Sequence, residues 1–436
     1  MNNPAPYYKI HGPERYQFEM QIACLDSLIP EDHTVRAVWD FVQEMDTRSC
    51  FYGINTLFGC QGRSTTCPKI LLTVWIYSLI DGNASARKLE ELCKNHNVYR
   101  WVVGGAPINR TMLAEFRSKD PAKFEELLVS CLAVMLKHGV INDENFAQDG
   151  TKVKANAGFN SFRREDTLEK LKDDLKIYVK KLSEEIDASE STYEKHQKER
   201  KQRYAIEKQE RVKKALEELE KAREVKEKNA KKNREKLEEG ALENTRASFT
   251  DPEVRKMKMG DSGFRLAYNV QFVTGLDSRV IFGVDVGNTL DPGTSTRMIA
   301  IVSSILKRLK MRGIKYWLGD SAYSSKDDVE DVAKLYPDII YYGPSKVRKG
   351  IDPKKHLKGD SEAVKQWRDR IGNEEVEEIY KKRVSTAEFS NAQTKNHAFT
   401  KFFVRGLEKV KGAALLQAIS NNIQRFFDLK RKVLSS

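Results

Sequence analysis

Three carboxylates stand where a chain of this kind could do chemistry. Asp320 follows the apolar run Tyr316-Trp317-Leu318-Gly319 and precedes the small-residue turn Ser321-Ala322-Tyr323. A short apolar run stopped by glycine ends a buried strand, and the side chain just past its end projects into the cleft above the sheet edge. An aspartate there either caps the following turn or serves a site in that cleft. One carboxylate does not hold a catalytic metal, so the rest of the chain is read as bringing other acids to Asp320. Asp149 lies in FAQDGTKVKAN, where the alternation of Thr151-Lys152-Val153-Lys154 predicts a strand; the alternative is a surface hairpin with Asp-Gly at its tip. Glu388 is one of only three acids from Lys381 to the end, against 12 Lys or Arg.

The elements that must position these acids can be read in order. From Pro30 to about Lys137 the spacing is helical: Val35, Val38, Trp39 and Val42 recur on one face, and Cys67-Pro68 opens a helix with proline in its first turn. Asp81-Gly82-Asn83 closes that helix, Ser85 opens the next, and Asn109 caps one holding Met112, Leu113 and Phe116. Short helices with glycine turns and basic ends suit either a helix-turn-helix DNA reader or a plain bundle. From about Phe162 to Leu242 the chain is densely charged with both signs, and glycine is absent until Gly240. Leu168, Leu171, Leu175, Tyr178 and Leu182 keep a coiled-coil seam that Val212, Leu216 and Leu219 resume. This predicts a helical hairpin with its tip around Gln197 to Gln202, or one long helix awaiting a partner, serving as a spacer or self-association arm.

Beyond it, Phe264 to Val273 and Val280 to Val286 predict a strand pair joined by the turn at Gly275 to Ser278. A helix follows over Ser295 to Leu309, then the strand ending at Asp320, a helix with Val329 and Val332, and a strand at Ile339 to Gly343. Antiparallel strands followed by alternating helices and strands make an α/β layer architecture. Pro344 to about Lys365, with Lys346, Arg348, Lys349, Lys354 and Lys355, is expected to be a mobile basic loop, suited to a phosphate backbone or simply solvated.

Composition bounds the function classes. The chain is 40% hydrophobic and 32% charged, with a net charge of +13 that suggests a polyanionic partner. The longest apolar run, Ile70 to Ile80, is far short of the roughly 20 residues of a membrane helix, and the polar start has no signal-peptide core. No membrane association and a cytoplasmic location are expected. Six cysteines, Cys24, Cys50, Cys60, Cys67, Cys93 and Cys131, show no metal-binding spacing, so reduced thiols are expected.

At this point the chain resembles the DDE transposases of bacterial insertion sequences, close to the branch with a Tyr-Arg-Glu-Lys signature. The carriers are RWVVGG and TMLAEFR in the helical front, DGTKVKANA at Asp149, the strand AYNVQF, GDSAY at Asp320, and YKKRVSTAEFSNAQTKNHAF followed by VRGLEKVKGAALLQAISNNIQR. The resemblance implies an RNase H-like mixed-sheet α/β catalytic core, with an all-helical N-terminal domain and a long coiled-coil insertion. It implies that Asp149, Asp320 and Glu388 bind two Mg2+ ions, or Mn2+, to cut element ends and join them to a target. Displacement at phosphorus needs charge stabilised on both attacking and leaving oxygens, and hard cations take Asp and Glu oxygens rather than His or Cys.

The implied boundaries are a helical DNA-binding or dimerisation domain over 1–138, a first core part over 139–161, a coiled-coil insertion over 162–245, and the rest of the core with basic C-terminal helices over 246–436. Implied partners are double-stranded DNA, as terminal inverted repeats and target, and a homodimer or higher synaptic assembly in a nucleoid-associated bacterial protein. The rivals are a non-catalytic DNA-binding scaffold, and an RNase H-like nuclease that cuts without joining.

One spacing departs from the signature. Four residues separate Arg383 from Glu388, and on an unbroken helix the extra one turns Tyr380 and Arg383 about 100° away from the glutamate face. A break near Ser385 would remove the conflict, and Ser385-Thr386-Ala387-Glu388 reads as a capping box. Glu374, Glu375, Glu377 and Glu378 are rival third ligands. Lys395 lies two turns beyond Glu388 on the same face, where it could meet a phosphate. Lys152, Tyr323, Tyr380 and Arg383 are further candidates for DNA contacts. Asn269 and Gln271 share one strand face, as structural amides or substrate contacts, and Asp285 is a possible fourth acid or a sheet-edge residue.

Overall fold

The computed structural model describes residues 24–54, 65–189, 191–233, 239–289, 291–345, 352–397 and 399–435. Six helices come first: α1 (Thr34–Glu44), α2 (Pro68–Ile80), α3 (Ala86–Asn95), α4 (Asn97–Val103), α5 (Arg110–Ser118) and α6 (Lys123–Lys137). Their starts and stops follow local chemistry. Pro68 sits in the first turn of α2, Asn109 accepts from the Met112 amide at 2.9 Å, and Gly104 ends α4 in the left-handed region at φ 57°.

Then follow β1 (Asn145–Lys154), the two-residue strands β2 (Phe162–Arg163) and β3 (Ala247–Ser248), and between these the helices α7 (Glu165–Asp187) and α8 (Thr192–Asn233). The remaining elements are β4 (Arg255–Lys258), β5 (Phe264–Gly275), β6 (Ile281–Gly287), α9 (Ser295–Leu309), β7 (Tyr316–Leu318), α10 (Lys326–Leu335), β8 (Ile340–Tyr342), α11 (Glu362–Asp369), α12 (Glu374–Asn396) and α13 (Leu407–Ser435).

One mixed sheet runs in the order β4-β5-β1-β7-β8, with β6 also paired to β5. β5 is antiparallel to β1, β4 and β6, whereas β7 is parallel to both β1 and β8. This sheet between helices is compatible with an RNase H-like core. On one face Phe146 meets Phe282 edge-on at 5.1 Å, and Gly283 admits Val302 of α9. On the other, Ala147, Leu318 and Tyr342 pack against Val376 of α12. α13 lies buried between β6 and helices α2, α5 and α6, so the helical front shares a continuous apolar core with the sheet.

α7 and α8 run antiparallel. Gln202 reaches Ser183 near one end and Arg223 reaches Glu165 at the other, with Leu168, Leu175, Val212 and Leu219 buried between them. The expected tip is displaced: Gln197 and Gln202 lie inside α8, and the reversal falls between Asp187 and Thr192, because α8 continues unbroken through its charged start. The stretch expected to be a loop is also partly structured. α11 begins at Glu362, and Arg368 ties back to Asp360 at 2.8 Å and to the Pro353 carbonyl at 2.7 Å. Lys346, Arg348, Lys349 and Cys60 lie outside the described residues.

Candidate active site

Register brings the two aspartates together. β1 and β7 are paired through Ala147↔Leu318, and both Asp149 and Asp320 lie two residues further on in these parallel neighbours. Asp320 has left β7 at that point, but it stays close enough for its charge to act on the Asp149 carboxyl. Asp149 is within β1, opposite Phe272 of β5, and is not the tip of a hairpin. Asp320 does what turn chemistry predicts as well, since its Oδ1 accepts from the Ala322 amide at 2.7 Å.

Alternation along β1 puts Asp149 on the same face as Ala147, the face covered by α12. There Asn391 donates to Asp149 Oδ2 at 2.6 Å, and Arg383 lies 3.3 Å from Oδ1. Burial pushes the Asp149 carboxyl above the usual range; Arg383 offsets part of this, while Asp320 and Asp291 add to it. Tyr380, edge-on to Tyr342 at 5.2 Å, feels the charges of Arg383, Asp320 and Asp149, and burial raises its phenol.

The opposite face holds a polar network. Gly150 has no side chain, and a Cβ there would fall 2.3 Å from Asp291 Oδ1 and 2.5 Å from Gln271 Nε2. Asp291 accepts from Asn269 at 2.9 Å and Gln271 at 2.8 Å. Gln271 Oε1 in turn accepts from Gln148 at 2.9 Å and Tyr323 at 2.7 Å. Asn269 and Gln271 are thus buried amides that hold Asp291. Tyr323, a candidate DNA contact, is only 1% exposed with its hydroxyl engaged, so it supports the sheet end rather than offering a surface.

Glu388 does not join the aspartates. α12 is unbroken from Glu374 to Asn396, Ser385 donates back to the Lys382 carbonyl, and no helix start or capping box forms there. Arg383, Ala387 and Asn391 recur at helical spacing on the Asp149 side. Glu388 is turned about 140° from Arg383 and about 60° from Asn391, and it is exposed. Lys395 is exposed beside it, as expected from their spacing. Glu375 accepts from Tyr316 at 3.0 Å and Glu378 pairs with Lys381, while Glu374 and Glu377 are exposed. Among the described residues, no three His, Cys, Asp or Glu side chains form a group able to hold a metal ion. Asp149 and Asp320 fit two hard oxygen donors; the third is missing from their side in this arrangement. Asp285, on the edge strand β6, is held by Arg297 at 2.9 Å, and Lys152 donates to the Lys258 carbonyl at 3.0 Å.

The residues that sequence reasoning missed are Asn391, Asp291 and Gln148. Eight-residue spacing from Arg383 was the available signal for the first, and the acid before Pro292-Gly293 for the second.

Residues 348–427 match the family model of a transposase DDE domain. Residues 23–119 match that of a transposase domain (DUF772). Both matches are to transposases. Together they support a DDE transposase of the insertion-sequence type, a DNA-processing protein. The DDE match contains α12 with Glu388, whereas Asp149 and Asp320 lie upstream of it. No curated protein and no solved structure matches the chain.

Proposed function

We propose that the chain is a metal-dependent transposase that cleaves the ends of an insertion sequence and transfers them to target DNA. The observation that carries this reading is the closeness of Asp149, in β1, to Asp320, two residues past the end of the adjacent parallel strand β7, such that the Asp320 charge adds to the burial that raises the Asp149 carboxyl. Asp149 and Asp320 would hold Mg2+ or Mn2+, with Glu388 proposed as the third acid although it stands outside their side of α12 in this arrangement. Bound ions of this kind stabilise charge on the attacking and leaving oxygens of a phosphodiester displacement.

The chain's own groups supply the rest. Arg383 and Asn391 hold the Asp149 carboxylate in place and offset its crowding with Asp320. Tyr380 and Lys395 line the approach from the α12 side and are proposed, with Arg383, to meet DNA. The helical front over 1–138 is proposed as the DNA-binding or dimerisation part, 139–161 and 246–436 as the catalytic core, and the paired helices within 162–245 as a coiled-coil arm for spacing or self-association. A homodimer or higher assembly on paired ends, associated with the nucleoid, completes the proposal, as does placement in the Tyr-Arg-Glu-Lys branch.

The test is nicking of element-end DNA by the purified protein with Mg2+ or Mn2+. Asp149→Asn and Asp320→Asn should each abolish it; equal activity in these variants would defeat the catalytic reading and leave a DNA-binding scaffold. Cleavage without joined products in a strand-transfer assay would point instead to a nuclease.

A further inference from the structure

One edge of β1 is taken by two segments in turn, with the aspartates between them. β7 pairs with it as far as Ala147, and at Lys154 the edge is taken by the segment 399–405. There the Lys154 amide donates to the Thr400 carbonyl at 3.3 Å and the Phe402 amide to the Lys154 carbonyl at 2.8 Å. The segment alternates: Phe402 and Val404 are buried, while Lys401, Phe403 and Arg405 are exposed. Two cations thus flank an aromatic ring that is 46% exposed. Lys154, also exposed, stands beside them; Arg405 donates to the Asn156 carbonyl at 3.0 Å and feels the charge of Asp251, while Lys154 and Lys401 form no ion pair among the described residues.

A second feature lies beneath the strip. Arg117, from α5, lines the same cleft as Lys401 and Phe403 and is 93% buried by its 7% exposure. Its guanidinium stacks 4.4 Å from the Trp75 ring and donates to the Ala84 carbonyl, yet it faces no carboxylate and its Nε has no partner. Burial pulls it down to about 10, as expected for a cation sealed away without a counter-charge. An arginine so placed favours an anion at the mouth of the cleft.

We propose that Lys401, Phe403 and Arg405, with Lys154 beside them and Arg117 below, form a seat for the phosphate backbone of duplex DNA running away from the aspartates. This rests on the transposase reading, which supplies DNA as the partner. Lys401 and Arg405 flank Phe403 on the exposed side of a short bent segment, so two cations face one stretch of backbone phosphates. Lys154 is about 17 Å along β1 from Asp149, so the seat stands apart from the aspartates. The cations neutralise phosphates, and the Phe403 ring packs on a deoxyribose between them.

The test needs neither metal nor cleavage. Binding of a mixed-sequence duplex by the full chain is followed by fluorescence anisotropy in EDTA across a potassium chloride series. Lys401→Ala/Arg405→Ala should flatten the slope of log affinity against log salt by about 2. Lys195→Ala/Lys201→Ala, which removes two exposed charges from α8, should leave the slope unchanged. Phe403→Ala should weaken binding several-fold at every salt concentration with the slope intact. A wild-type slope in the Lys401/Arg405 variant, an equal drop in the α8 control, or no duplex binding by the wild type would each overturn the seat. Failure of Mg2+-dependent nicking with these slopes as expected would remove the catalytic reading alone.

Discussion

At the scale of single residues, Asp149 joins charge to stability. Its carboxyl is raised in the folded chain by burial, so the folded state holds that proton more tightly than the unfolded chain does. A raised group contributes stability below its unfolded value and loses it as pH climbs through the folded one. Asp149→Asn should therefore raise the melting temperature at neutral pH, with the gain fading as pH falls towards the ordinary carboxylate range. Thermal melts of both proteins across pH check this, and a variant that melts lower at neutral pH would contradict it. Gly150 argues the other side of the same strand. Gly150→Ala drives a Cβ into Asp291 and Gln271, and should cost about 1–3 kcal/mol in denaturant unfolding as an overpacked site.

At the scale of elements, α12 decides how the site is composed. Its unbroken turns present Arg383 and Asn391 to Asp149 and leave Glu388 outside. Glu388 is exposed and without a hydrogen-bond partner among the described residues, so Glu388→Gln should leave the melting temperature of the metal-free protein unchanged. If Glu388 is the third acid, the same variant should lose DNA nicking. Retained nicking would send the search for that ligand elsewhere on the chain.

The helix pair meets the core at an element boundary too. Burial pushes the Glu218 carboxyl up, but hydrogen bonds from Lys221 and Arg255 outweigh it and hold the group below its ordinary value. That stability is present above the unfolded pKa and is lost as pH falls through the lowered one. Arg255→Ala, which removes a 2.6 Å contact with a buried carboxylate, should cost about 2 kcal/mol at neutral pH. The loss should shrink in acid, measured by melts at both pH values.

At the scale of the whole molecule, the net charge of +13 and the separation of the aspartates from a basic strip along one strand divide two tasks. Chelation of divalent ions should abolish cleavage while leaving salt-sensitive duplex binding in place, because phosphate contacts by Lys and Arg need no metal. Gel-shift and nicking assays run side by side with EDTA separate these; loss of both together would tie binding to the metal. No helix among the described residues is long and apolar enough to cross a membrane.

Local patterns were legible in the chain because their causes are local. The bounds of α9 at Ser295 and Leu309, proline at the start of α2, the Asn109 cap and the β5–β6 pair follow from periodicity, capping and turn chemistry within a few residues. Asp149 and Asp320 were likewise marked by what surrounds them in sequence, a strand interior and a strand end. Their closeness was not legible, since it depends on a parallel register between segments about 170 positions apart. Whether Glu388 faced them depended on helix phase, and the capping-box pattern around Ser385 misled because burial of Thr386, Ala387 and Ser390 carried α12 straight through. Asn391 and Arg117 acquire their meaning from packing alone: one reaches a carboxylate 242 residues away, and the other is sealed against Trp75 without a counter-ion. Sequence by itself determined the element types and the acid and base inventory, because backbone propensity and side-chain chemistry are carried residue by residue. Tertiary structure alone decided which of those charges face one another, because that is set by register, helix phase and burial.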